Sequence, residues 1–95
     1  MFRVWAKEIK KGKILRDTVV IDERENINRT KMVTDALFEV CNRLDLAVPV
    51  WLEHNINEFK YSAKTRFNSD NFMEEIEFDY LEFKVLEEVT GLVRR

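Results

Sequence analysis

Phe2, Val4 and Ala6 alternate with Arg3, Trp5 and Lys7, and after "KKGK" a second run, "ILRDTVVID", carries β-branched residues to Asp22. A period of two belongs to strands with one buried face, so the two runs predict a β-hairpin. Lys11-Gly12 fills its two-residue turn, with Gly12 as the residue able to take the positive φ that such turns demand. Trp5 reads as a packing residue rather than a surface anchor.

The period then changes. Val33, Ala36, Leu37, Val40, Cys41 and Leu44 stand at offsets 0, 3, 4, 7, 8 and 11, one stripe of an α-helix. This predicts a long amphipathic helix from about Arg29 to Leu44, capped by Asn28 or Thr30 and stopped near Asp45 by the approaching Pro49. Asp35, Glu39 and Arg43 fall on its opposite face. "VPVWLEHNINEFKYS" (48–62) mixes signals and reads as an extended entry followed by one or two helical turns. "AKTRF" is a short strand, "NSDN" has turn composition, and Ile76 to Leu86 is the longest strand candidate. In that stretch Ile76, Phe78 and Tyr80 share one face but Leu81, Phe83 and Val85 share the other. Either a bulge near Tyr80 or a strand buried on different sides along its length would produce the switch. The tail "GLVRR" is expected to fray.

Length and composition narrow the class. Ninety-five residues, 45% hydrophobic and 36% charged with two glycines and one proline, describe one folded domain (1–95). One cysteine can form no internal disulfide, and Cys41 on the apolar stripe reads as a buried small hydrophobe in a reducing compartment. No stretch resembles a signal peptide or a membrane span, so the expected location is cytoplasmic. Net charge is −2 but uneven. Residues 1–31 carry nine Lys/Arg against five Asp/Glu, and residues 71–95 three against seven. Two explanations fit: the ends meet as adjacent strands with cross-strand ion pairs, or a basic face is kept for a polyanion. The first is preferred.

No catalytic, cofactor or metal motif stands out. His54 is the only histidine and lacks H-E-x-x-H, Cys/His or Ser/His/Asp spacing, so an enzyme built on it has no partners. Asp70, Asn71, Glu74 and Glu75 supply oxygen ligands for a cation but miss the EF-hand pattern, and Asp and Asn are common turn residues. Lys60, Lys64 and Arg66 interleave with Phe59, Tyr61 and Phe67, a combination that can pair phosphates and stack bases. The simpler account has the rings in the core and Lys64 and Arg66 in water, with Arg66 pairing Asp70 or Asp79.

The phrases "VPVWLEHNINEF", "KTRFNSDNF" and "IEFDYLEF", with the opening "FRVWAK", resemble those of a group of small proteins of unassigned function from anaerobic low-GC Gram-positive bacteria, across almost the whole chain. The resemblance brings no reaction, cofactor or site. It implies a free-standing cytoplasmic bacterial domain and draws attention to Trp51, Asn55, Glu58, Arg66, Phe67, Asp70 and Asp79 as positions that could form one surface, which Lys64 would join.

The expected fold is therefore α+β: an N-terminal hairpin and C-terminal strands in an antiparallel sheet, with one long amphipathic helix on one face. Such a sheet leaves its second face bare, and Trp5, Leu15, Val19 and Ile21 include candidates for it. The functional expectation is a small non-enzymatic interaction protein that self-associates. The alternative is a nucleic-acid-binding module using Lys60, Lys64, Arg66 and the hairpin-turn residues Lys10, Lys11 and Lys13. Neither implies a membrane, a cofactor or a small-molecule substrate.

Overall fold

The structure is a computed structural model that describes residues 1–88, so the tail "GLVRR" lies outside the described residues. In chain order the elements are β1 (Phe2–Lys10), β2 (Lys13–Asp22), α1 (Arg29–Leu44), α2 (Glu53–Ser62), β3 (Lys64–Phe67) and β4 (Tyr80–Glu88). The fold is α+β: the strands form one antiparallel sheet in the order β2-β1-β4-β3. Both helices pack on the same face, because their buried residues join one hydrophobic cluster with a single set of strand alternates.

Local signals explain the first half. Lys11 and Gly12 have φ of 52° and 77°, as a type I′ hairpin turn requires. Lys11 has a Cβ and is disfavoured there; the turn is held by Asp79, whose carboxylate accepts the Lys11 N–H at 2.8 Å and whose own N–H donates to the Ile9 carbonyl at 2.8 Å. Helix α1 has the predicted bounds. The Asn28 side chain accepts from the Lys31 N–H at 2.8 Å, and Asp45 closes the helix in the left-handed region with its N–H on the Cys41 carbonyl.

Two expectations are corrected. There are two helices, not one: α2 runs ten residues, about three turns. It lacks a side-chain acceptor at its cap, Leu52, but Asn55 reaches back to accept the Leu52 N–H at 3.0 Å, and Phe59 anchors the helix in the core. Tertiary packing thus overrides the weak propensity of "EHNIN". The last strand begins at Tyr80 rather than Ile76. Phe78 turns into the core and meets Phe72 edge-on, ring centroids 6.1 Å apart. The change of apolar face at Tyr80 is therefore the end of a loop and the start of a strand, with no bulge. The bulges lie elsewhere, where the ladder skips Leu15 on β2 and Leu86 on β4. Both leucines are exposed.

Strands β1 and β4 are neighbours, so the basic beginning and acidic end of the chain lie side by side, with Arg3 paired to Glu87 and Lys7 to Glu82. Beneath the helices, Phe2, Val4 and Ala6 of β1, Val20 of β2, Phe67 of β3, and Leu81 and Phe83 of β4 are buried against the α1 stripe. Trp51 meets Phe59, Phe67 and Phe83 edge-on at 5.4, 5.0 and 6.3 Å. Each buried Phe contributes about 1.5–3 kcal/mol by leaving water.

Candidate interaction surface

Side chains pointing away from the helices form four cross-strand rows set by the ladder. They read Ile21–Arg3–Glu87, Val19–Trp5–Lys84–Lys64, Asp17–Lys7–Glu82–Arg66 and Ile14–Ile9–Tyr80. No described element covers this face.

The rows make a graded surface. Toward β2 it is apolar: Ile14, Val19 and Ile21 are 49%, 39% and 52% exposed. In the middle the charges satisfy one another. Trp5 donates from Nε1 to Asp17 at 2.7 Å, Lys7 lies over the Trp5 ring at 4.1 Å and pairs with Glu82 at 3.9 Å, and Arg3 pairs with Glu87. Toward β3 it is basic. Lys64 and Lys84 are direct cross-strand partners with no ion pair among the described residues, and Arg66 stacks over Tyr80 at 4.5 Å. Like charges placed opposite each other repel, so this end favours an incoming anion.

The edges of the sheet are tied to the helices. Arg43, held by Glu39 one turn earlier at 2.9 Å, donates to the Val19 carbonyl at 2.7 Å and to the Thr18 hydroxyl at 3.1 Å. Arg16 grips buried Glu8 with two hydrogen bonds, 3.1 and 2.8 Å, and donates to the Leu44 carbonyl at 2.7 Å. The bond to Glu8 raises the Arg16 pKa and keeps it charged. Beyond β3, Asn55 is saturated: its amide donates to the Thr65 hydroxyl at 2.8 Å and the Arg66 carbonyl at 2.9 Å, while its oxygen accepts from Leu52 and, at 2.7 Å, from Asn71. Asn71 also donates to the Val50 carbonyl at 2.7 Å, and Thr65 donates to Glu58 at 2.6 Å. A buried polar network with every member paired fixes one arrangement of α2, β3 and the following loop.

The residues nominated from sequence therefore do not form one surface. Lys64 and Arg66 are on the open face; Asn55 and Phe67 are buried on the other side; Trp51 is half-buried in the core cluster. Glu58 buttresses Thr65, Asp70 sits in an Asn68-centred turn, and Asp79 braces the hairpin, so neither aspartate pairs with Arg66. Phe59 and Phe67 are buried and cannot stack bases; Tyr61 is 85% exposed on α2. His54 is exposed without a hydrogen bond or ion pair among the described residues, and no group of His, Cys, Asp or Glu among them is placed to hold a metal. Burial pushes the Cys41 thiol up to about 11, which leaves it protonated and unreactive near neutrality.

Trp5, expected to pack and also named among the candidates for the bare face, sits half-buried at the centre of that face. The signal was present in its alternation with Arg3 and Lys7. Lys7, Lys84 and Tyr80 became part of the surface only through the β1–β4 pairing, which brings together residues more than seventy positions apart. No helix among the described residues is long and apolar enough to cross a membrane. No protein-family model, curated protein or solved structure matches the chain.

Proposed function

We propose that this chain is a small non-enzymatic interaction protein that pairs with a second copy of itself through the open face of its sheet. The observation that carries the reading is the apolar strip of Ile14, Val19 and Ile21 beside half-buried Trp5, on a face that no described element covers. Strands of nine, ten, nine and four residues, about 4.8 Å apart and rising about 3.3 Å per residue, offer roughly 500 Å² of flat area per copy, so two fully overlapping faces reach the roughly 1,000 Å² at which specific interfaces begin. A two-fold axis lying in the interface and running across the strands overlaps the two faces fully and stacks the apolar strips on each other.

Sedimentation velocity across a hundredfold concentration range tests this. A dimer is expected, and Val19→Glu is expected to give a monomer with unchanged circular dichroism. A monomer at every concentration overturns the proposal, as does a Val19→Glu dimer.

A second reading has its own observation. Five basic side chains (Arg3, Lys7, Lys64, Arg66, Lys84) stand on this face against three acidic ones (Asp17, Glu82, Glu87), although the whole chain is acidic. With Trp5 and Tyr80 as rings, this is a platform for a single-stranded nucleic acid. The expected signature is oligonucleotide binding that falls steeply with salt and is lost in Lys64→Ala/Lys84→Ala; absence of binding at low salt removes this reading.

A further inference from the structure

On the helix side of the sheet, away from the proposed interface, a cleft of about 390 Å³ opens between the first two turns of α1 and the body of α2. Its apolar wall comes from Val33, Trp51, Ile56 and Phe59; Arg29 and Lys60 stand at the rim, and among the described residues no carboxylate lines it. The size and the mixture of apolar wall and few polar groups are those of small-ligand sites.

The charges at the rim select the ligand. Arg29 lies over the Phe59 ring at 5.1 Å and is held by Glu88, which accepts from its Nε at 2.8 Å. That carboxylate offsets one of the two cations. Lys60 has no ion pair among the described residues, so the rim retains one uncompensated positive charge beside an apolar wall. An exposed apolar wall costs free energy in water, and an ammonium at its border is compensated by a carboxylate better than by any neutral group. We infer that this cleft binds a small amphipathic monoanion, an acyl or aryl carboxylate whose apolar body lies against Trp51, Ile56 and Phe59 and whose head meets Lys60 and Arg29.

The probes are decanoate, 1-decanol and decylammonium, which share one apolar body and differ in the head. Calorimetry of the full chain, well below micelle-forming concentrations, is expected to give saturable binding of one decanoate per chain, with decanol at least about tenfold weaker and decylammonium without binding. Amide shifts in nitrogen–proton spectra are expected at Thr34, Ile56 and Lys60. Lys60→Ala is expected to weaken decanoate about tenfold and Lys60→Arg to restore it; Ile56→Glu, at an exposed position that leaves the core intact, is expected to abolish binding. No saturable decanoate binding, equal binding of all three heads, unchanged affinity in Lys60→Ala, or shifts confined to other parts of the chain would each overturn the inference.

Discussion

The same four strands present two faces that spend their side chains differently. Under the helices the alternates are mostly rings and aliphatics cut off from water, several with no exposed surface at all, with buried Glu8 and Thr65 hydrogen-bonded among them. On the open side the alternates are ion pairs around one tryptophan, with apolar residues at one margin and bare cations at the other. The first face is where truncation leaves a cavity; on the second, solvent reaches the Arg3–Glu87 pair, and an exposed ion pair is worth about 0–1 kcal/mol. The difference separates stability from recognition: the fold rests on one side, leaving the residues of the other free to be selected for what they meet.

The comparison breaks most visibly at Phe83, fully buried in the aromatic cluster. Phe83→Ala is expected to lower unfolding free energy by about 3–5 kcal/mol in urea titrations. Next comes Asn55→Ala, which strands the Arg66 carbonyl and the Leu52 N–H and is expected to cost about 2–3 kcal/mol by the same measurement. On the open face Trp5→Ala is expected to cost only about 1 kcal/mol in the monomer, from partial burial and one solvent-facing hydrogen bond to Asp17. A Trp5→Ala loss as large as that of Phe83→Ala would erase the distinction between the faces.

The smallest effect concerns acid. Hydrogen bonds from Arg24 hold the Asp22 and Asp35 carboxyls below the usual range. A folded-state value below the unfolded one of about 3.9 means that the stabilisation is present above that pH and is lost as pH falls toward the folded value. Arg24→Ala is therefore expected to flatten the fall in stability below about pH 4, with its small cost present at pH 7 and vanishing as both carboxyls protonate. An unchanged acid slope, read from urea midpoints between pH 2.5 and 7, would show that these pairs carry no linkage.

What was legible in the sequence followed distance along the chain. The hairpin, its Lys11-Gly12 turn and α1 with its Asn28 cap are specified by residues within a few positions of one another, and the alternation and stripe announced them. The length of α2 and the start of β4 were not legible, because they depend on Asn55 meeting Thr65, Arg66 and Asn71, and on Phe78 meeting Phe72 in the core. Of the candidate surface, Lys64 and Arg66 were visible as outward alternates. Trp5 was visible there too, since its alternation with Phe2, Val4 and Ala6 set it on the face opposite the core.

Each outermost strand surrenders a carbonyl to a helix side chain: Val19 on β2 to Arg43, and Arg66 on β3 to Asn55. Each contact takes up one border acceptor, which makes that edge a poorer template for another strand. Under the proposed pairing, two copies that meet through their open faces leave no second such face for a third.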